Sequence, residues 1–124
     1  MDRSVYVVDD DVLVLDLLCS KLNEAGYRAQ GFSDPSAFLA AAPDLPPGCV
    51  ILDLDMPGVD GLQVQESLSR MDLDLPIIFY SGRGSVKHAV DGMRAGATDF
   101  LQKGSSMEPL LRALKNAFGK SSQA

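Results

Sequence analysis

Short apolar runs alternate with longer amphipathic stretches five times along this chain. The runs are rich in β-branched residues, whereas the stretches between them repeat apolar side chains at helical spacing. Strands that alternate with helices in this way predict a parallel sheet that helices cover on both faces. The predicted strands lie at 5–8, 27–32, 49–52, 77–80 and 99–102, and the predicted helices at 11–25, 35–42, 61–71, 85–95 and 107–118.

Local signals mark several of the helix ends. Gly26 and Gly96 follow helical stretches, and glycine is common just past the end of a helix. The sequence Ser33-Asp34-Pro35 places a capping side chain before a proline at the first helical position. Glycines 58 and 61 are expected in a turn and at a helix start, because nothing around them resembles a glycine-rich phosphate loop.

The composition of the 124 residues is that of one ordinary globular domain, with 46% hydrophobic and 23% charged residues. No apolar run approaches the about 20 residues that a membrane-spanning helix needs, and no charged-then-apolar leader opens the chain. Cys19 and Cys49 stand in apolar surroundings and are expected as buried reduced thiols. We therefore expect a cytoplasmic protein without a membrane partner.

Functional side chains follow four of the predicted strands. The carboxyl ends of parallel strands meet at one edge of the sheet, beside the point where the strand order reverses, so these side chains are expected to converge there. The set comprises Asp9, Asp10 and Asp11 after the first strand, Asp53 and Asp55 after the third, Ser81 at the end of the fourth and Lys103 after the fifth.

This combination of side chains suits phosphoryl chemistry. Clustered carboxylates repel one another and need a cation or a proton as compensation, and oxygen donors of this kind suit Mg²⁺. Asp53, at the middle of the set, is then a carboxylate nucleophile that can form an aspartyl phosphate. The ammonium of Lys103 and the metal neutralise charge on the transferring group, and the hydroxyl of Ser81 donates a further hydrogen bond.

Four segments carry a resemblance to a known family: VYVVDDD (5–11), VILDLDMPGVDG (50–61), IIFYSG (77–82) and AGATDFLQK (95–103). Through them the chain resembles the receiver domain of bacterial two-component response regulators. The runs AFLAAAP, MPGVDG and GSVKHAVDGMRAGATDF are most similar to receivers of the FixJ-like branch. The resemblance implies a flavodoxin-like (βα)5 fold, doubly wound around a five-stranded parallel sheet in the order 2-1-3-4-5. The resemblance extends from Val5 to Phe118. We therefore expect a receiver domain at 1–118, which leaves 119–124 as a polar tail or the start of a linker.

The resemblance also implies a role for each matching site residue. Asp53 corresponds to the phospho-acceptor and Asp10 to the direct ligand of Mg²⁺, for which Mn²⁺ is an expected substitute. Asp9 corresponds to the neighbour that reaches the metal through water, and Asp55 to the residue that lends its backbone carbonyl to the ion. A domain of this kind is not an enzyme in the usual sense, because it catalyses only its own phosphorylation and dephosphorylation.

The switch residues follow in the same way. Ser81 corresponds to the hydroxyl that turns toward the phosphoryl group, and Lys103 to the lysine that pairs with it. Phe100 falls on the position of the switch aromatic, although the sequence alone favours a plain core position and only the register relative to Lys103 supports the switch role. Receivers usually have a proline with a cis peptide after the lysine, whereas this chain has Gly104, so the Lys103–Gly104 bond is expected to be trans.

The expected partner is a sensor histidine kinase that donates its phosphoryl group to the acceptor. We expect the change to reach a face made of the fourth helix, fifth strand and fifth helix, through which a homodimer would form. The net charge of −6 argues against direct nucleic-acid binding by this domain. Asp55 and Arg83, each two residues past a site residue, are expected to flank the pocket mouth as an ion pair and to alter the lifetime of the aspartyl phosphate.

Two other functions fit part of the pattern. Asp53-Leu54-Asp55 also matches the nucleophile and acid of haloacid-dehalogenase-type phosphatases. Those enzymes carry the pair on their first strand and have longer chains, and they have no need of Asp9-Asp10. A pseudo-receiver that acts only as a binding module is disfavoured because all five central site residues are present.

Overall fold

A computed structural model of the chain describes residues 3–82, 86–104 and 106–122, with only the backbone described at 86–88 and 120–122. Five parallel strands form one sheet in the order β2-β1-β3-β4-β5, which confirms the predicted topology. The strands are β1 Ser4–Val8, β2 Arg28–Phe32, β3 Gly48–Leu52, β4 Ile77–Ser81 and β5 Asp99–Gln102.

Four helices connect the strands, and a fifth follows β5. They are α1 Val12–Glu24, α2 Pro35–Ala41, α3 Gly61–Arg70, α4 Val86–Arg94 and α5 Glu108–Ser122, and a 3-10 turn at Ala42–Asp44 follows α2. Asp11, Asp34 and Asp60 accept hydrogen bonds from backbone N–H groups in the first turns of α1, α2 and α3, as capping residues do. None of the helices described is both long enough and apolar enough to cross a membrane.

The two faces of the sheet bury separate halves of the core. Side chains alternate along each strand, so that Val5 and Val7 of β1 face α1 and α5, whereas Tyr6 and Val8 face the opposite side with α2 and α3. The strands β1, β3 and β4 are buried along their whole length. This explains why these three strands appear in the sequence as continuous apolar runs rather than alternating ones.

Element boundaries differ from the prediction by at most one residue, except at the end of α5. The predicted end of this helix is residue 118, but the helix extends to Ser122. Near its end, the ring of Phe118 stacks on Tyr27 at a centroid distance of 5.8 Å, and the guanidinium of Arg3 lies 5.8 Å from the same ring. These contacts join the last part of α5 to residues that are distant in the chain.

Candidate functional site

The carboxyl ends of β1, β3, β4 and β5 bring the predicted site residues together. The backbone N–H of Asp53 donates to the carbonyl of Val8 at 3.0 Å, which sets the end of β3 beside the end of β1. The N–H of Lys103 donates to the carbonyl of Ser81 at 2.7 Å, which does the same for β5 and β4. The predicted site residues that follow these four strands therefore share one edge of the sheet, as predicted.

The helix start after β3 approaches the backbone of Asp53 closely. The N–H of Gly61 donates to the carbonyl of Leu54 at 3.2 Å, and a β-carbon at position 61 would lie 2.6 Å from the backbone oxygen of Asp53. Gly58 has a φ of 83°, in the left-handed region that glycine adopts readily. The two glycines are thus a turn residue and a helix-start residue, as expected from the sequence.

Three carboxylates form a compact group at the centre of this edge. Asp9, Asp10 and Asp53 each offer an oxygen, and these atoms all lie within 4.8 Å of one another. Asp9 and Asp53 are buried, whereas Asp10 is exposed to solvent. Oxygen donors with a combined negative charge, open on one side, fit a small divalent cation that keeps part of its water shell.

Lys103 supplies the positive charge of the site. Its Nζ lies 2.8 Å from Oδ2 of Asp9 and 3.4 Å from Oδ2 of Asp53. Burial alone would lower the pKa of the Lys103 ammonium, but the hydrogen bond to Asp9 and the charges of both carboxylates outweigh that effect and raise it. Lys103 therefore stays protonated and bridges the two buried carboxylates.

The surroundings of Asp53 only partly stabilise its negative charge. Burial raises the pKa of its carboxyl group, and the charge of Asp9 acts in the same direction. The N–H of Asp55, which donates to Oδ1 at 3.1 Å, lowers that pKa in part, and so do Lys103 and the hydroxyl of Ser81. A buried carboxylate in this environment gains from a further cation or from reaction with an electrophile.

The hydroxyl of Ser81 contacts both aspartates of the β3 loop. Ser81 is fully buried, and its Oγ lies 3.1 Å from Oδ1 of Asp53 and 3.0 Å from Oδ2 of Asp55. The spacing of Asp55 from Asp53 predicted a position at the pocket mouth, and the side chain of Asp55 is indeed exposed. The contact between Asp55 and Ser81 was not predicted, because it depends on side-chain directions that residue spacing does not specify.

Other predicted residues have mixed outcomes. Phe100 pairs with Phe79 across the β4–β5 ladder and is half-buried against the core, so its position fits either interpretation. The Lys103–Gly104 bond is trans, as predicted, and no cis peptide occurs among the residues described. Arg83 lies outside the described residues, so its expected ion pair with Asp55 stays a prediction.

The sequence matches the response regulator receiver domain family over residues 5–115. Among curated proteins, the chain is 43% identical over 113 residues to the response regulator protein TmoT of Ectopseudomonas mendocina, covering 91% of this chain and 51% of that protein. It is 37% identical over 120 residues to the transcriptional regulatory protein FixJ of Bradyrhizobium diazoefficiens, covering 97% and 58%. The chain thus spans a little over half the length of these relatives.

Solved structures give the same result for the fold. The crystal structure of FixJ-N matches with a TM-score of 0.89 and 33% identity, covering 94% of each chain. Full-length FixJ from B. japonicum matches with a TM-score of 0.91 and 36% identity, covering 95% of this chain and 58% of that one. Receivers of this family accept a phosphoryl group in two-component signalling, bind Mg²⁺ in an acidic pocket and interact with histidine kinases. The chain belongs to the response regulator receiver domain family and is a phospho-acceptor domain of two-component signal transduction.

Proposed function

We propose that Asp53 is the residue that accepts the phosphoryl group. The observation that supports this most directly is its central position, with Lys103 Nζ at 3.4 Å, Ser81 Oγ at 3.1 Å and two further carboxylates in the same group. The donor is the phosphohistidine of a sensor histidine kinase. The bond from phosphorus to the imidazole nitrogen breaks, and a bond from phosphorus to an Asp53 carboxylate oxygen forms. The imidazole retains the electron pair of the broken bond.

Mg²⁺ is the cofactor that fits the donor set, and Mn²⁺ is expected to substitute because it also accepts oxygen ligands. The carboxylates of Asp10 and Asp53 would hold the ion directly, Asp9 through water, and Asp55 through its backbone carbonyl. When bound, the ion supplies positive charge at the oxygens of the transferring group. Lys103, with its Nζ 3.4 Å from Oδ2 of Asp53, supplies a second positive charge, and the buried Ser81 would donate to a phosphoryl oxygen.

Intact-mass spectrometry after incubation with acetyl phosphate and Mg²⁺ tests this proposal. We expect one phosphoryl group on the wild type and none on Asp53→Asn. Asp34→Asn is the matched control, because it removes one carboxylate charge while asparagine still caps α2. Phosphorylation that survives in Asp53→Asn and is lost in another aspartate variant would overturn the assignment.

The same assay separates this function from phosphatase activity. A receiver takes up one phosphoryl group and releases it only by its own dephosphorylation, whereas a phosphatase turns over small phosphate esters continuously. We expect no multiple turnover of such esters, since the pair Asp53 and Asp55 follows the third strand of the sheet rather than the first. Steady hydrolysis that Asp53→Asn abolishes would favour the phosphatase.

We propose that Ser81 and Phe100 transmit phosphorylation to the face made of α4, β5 and α5, where a homodimer forms. Two apolar side chains of α4 support an interface there, since Val90 is 45% exposed and Met93 is 42% exposed. The same two helices also carry three exposed basic residues, namely Arg94, Arg112 and Lys115. Sedimentation velocity with and without beryllofluoride and Mg²⁺ tests this. We expect a dimer with the additive and a monomer in Val90→Ser/Met93→Ser.

We further propose that Asp55 and Arg83 set the lifetime of the aspartyl phosphate from the rim of the site. The exposure of Asp55 at the mouth supports its part in this role. Arg83→Ala is expected to change the dephosphorylation rate several-fold while the melting temperature stays nearly constant, because an exposed ion pair contributes only about 0–1 kcal/mol to stability. An unchanged phosphoryl half-life in this variant would contradict the proposal.

A further inference from the structure

The hydroxyl of Ser81 lies between two carboxylates that compete for it. Its Oγ is 3.1 Å from Oδ1 of Asp53 and 3.0 Å from Oδ2 of Asp55. A serine hydroxyl carries one proton, so it can donate a full hydrogen bond to only one of these oxygens at a time. The near-equal distances leave both oxygens within bonding range of the same proton.

The two acceptors lie in different parts of the site. Asp53 is buried, and its Oδ1 already accepts the backbone N–H of Asp55 at 3.1 Å. The side chain of Asp55 is exposed at the mouth of the site. The Ser81 hydroxyl therefore donates its hydrogen bond either inward, to the buried Asp53, or outward, to the exposed Asp55.

We propose that Asp55 is a positioning residue that competes with the acceptor site for the Ser81 proton and thereby opposes the switch of Ser81 toward the phosphoryl group. This rests on the proposed function, in which Ser81 donates to a phosphoryl oxygen on Asp53. A phosphoryl group presents several anionic oxygens, which are strong hydrogen-bond acceptors. On phosphorylation, the hydrogen bond of Ser81 thus shifts from Asp55 to a phosphoryl oxygen. A carboxylate at position 55 makes this shift less favourable, because the hydrogen bond to Asp55 must be given up.

Variants at position 55 separate this role from simple charge repulsion. Asp55→Asn removes the charge but keeps an oxygen that can accept from Ser81, whereas Asp55→Ala removes both. The backbone carbonyl that is proposed to contact the metal is present in every variant. Repulsion alone predicts equal effects for Asn and Ala, whereas competition for the proton predicts a larger effect for Ala.

A double-mutant cycle with Ser81 provides the test. The binding of beryllofluoride with saturating Mg²⁺ is measured by calorimetry for wild type, Asp55→Ala, Ser81→Ala and the double variant. Loss of the Asp55 charge acts in both backgrounds and cancels in the cycle, whereas the competition exists only where Ser81 is present. We expect Asp55→Ala to tighten binding by roughly threefold to tenfold more with Ser81 than with alanine at position 81.

Glu66→Gln is the control variant. It removes an exposed carboxylate of α3 that pairs with Arg70, and we expect it to leave beryllofluoride binding unchanged with either serine or alanine at position 81. Equal effects of Asp55→Ala in the two backgrounds, or weaker binding only where Ser81 is present, would overturn the competition and leave the proposed function intact. A wild type that binds no beryllofluoride would overturn both.

Discussion

The ammonium of Lys103 lies closer to Asp9 than to the proposed acceptor, with Nζ 2.8 Å from Asp9 Oδ2 and 3.4 Å from Asp53 Oδ2. In this unphosphorylated arrangement the lysine mainly neutralises the more deeply buried carboxylate, since Asp9 is 2% exposed and Asp53 5%. A phosphoryl group on Asp53 would offer Lys103 further anionic oxygens beside these two carboxylates. The same ammonium therefore serves the stability of the resting domain and the charge of the phosphorylated one.

Replacing Lys103 by methionine is expected to reduce both stability and phosphorylation. The variant leaves Asp9 and Asp53 as neighbouring buried carboxylates, and removing one partner of a buried ion pair is strongly destabilising. The side chain of Lys103 is 26% exposed, so we expect a smaller loss of about 1–3 kcal/mol in the free energy of unfolding. Urea titration without divalent ions measures this loss.

The response of that variant to Mg²⁺ distinguishes electrostatics from packing. If the loss arises from repulsion between carboxylates, saturating Mg²⁺ should restore much of the stability of Lys103→Met, while phosphorylation by acetyl phosphate stays at least about tenfold slower. Lys103→Arg keeps the positive charge and is the matched control for stability. A loss that Mg²⁺ leaves untouched would contradict the electrostatic account.

The Asp53→Asn variant should show the opposite pattern. Burial raises the pKa of the Asp53 carboxyl group most, and repulsion from the charge of Asp9 raises it further. Asparagine has nearly the same shape as aspartate but no charge, so the variant removes this repulsion. We expect Asp53→Asn to be more stable than the wild type without metal. The wild type should gain about 2.7 kcal/mol from Mg²⁺ at one hundred times its dissociation constant.

The gain of Asp53→Asn from Mg²⁺ should be clearly smaller than that of the wild type. Thermal unfolding across a series of Mg²⁺ concentrations measures both gains. Asp34→Asn, which changes the net charge equally but lies at the start of α2, should respond to Mg²⁺ as the wild type does. An equal gain in Asp53→Asn and wild type would remove Asp53 from the metal site.

Cys49 should be chemically silent in the folded domain. It is fully buried in β3, and burial raises the pKa of its thiol to about 12. At pH 8 only roughly one part in ten thousand of such a thiol is thiolate, the reactive form. In Cys19→Ser, which leaves Cys49 as the single thiol, modification by a disulfide reagent at pH 8 should proceed only through unfolding.

The rate in that variant should therefore rise with urea and follow the population of unfolded chains. In Cys49→Ala the half-buried Cys19 should react in the folded state, though slowly, because burial and the charge of Asp16 raise the pKa of its thiol. Reaction of Cys49 in the folded protein at the speed of the denatured chain would contradict its burial.

The fold could be predicted because its signals are local. Continuous apolar runs identified the buried strands β1, β3 and β4, and proline and glycine marked the turns between elements. The contacts of Phe118, near the end of α5, with Arg3 and Tyr27 could not be predicted, since they join residues far apart in the chain. Long-range contacts of this kind have no signature within a short sequence window.

The sequence also predicts one part of the candidate site and not the other. Which residues form the site could be predicted, because residues at the carboxyl ends of parallel strands converge whatever their rotamers are. The contacts between these residues could not be predicted. The Nζ of Lys103 lies 2.8 Å from Asp9 and 3.4 Å from Asp53, and the hydroxyl of Ser81 contacts Asp55 as well as Asp53. Differences of this size depend on side-chain rotamers and not on residue spacing.

Gly61→Ala should damage the site although alanine is the better helix former. Alanine favours a helix over glycine by about 1 kcal/mol, and Gly61 is the first residue of α3. A β-carbon there, however, would lie 2.6 Å from the backbone oxygen of Asp53 and 3.0 Å from the Cα of Leu54, so the loop that carries Asp53 must shift. We expect a loss of about 1–3 kcal/mol in unfolding free energy, as for other overpacked positions, together with slower phosphorylation by acetyl phosphate.

Gly104→Ala is the matched control, because a β-carbon at position 104 meets only the backbone oxygen of Gln102, at 3.8 Å. If Gly61→Ala is as stable and as readily phosphorylated as Gly104→Ala, the close approach of α3 to the acceptor loop does not position Asp53.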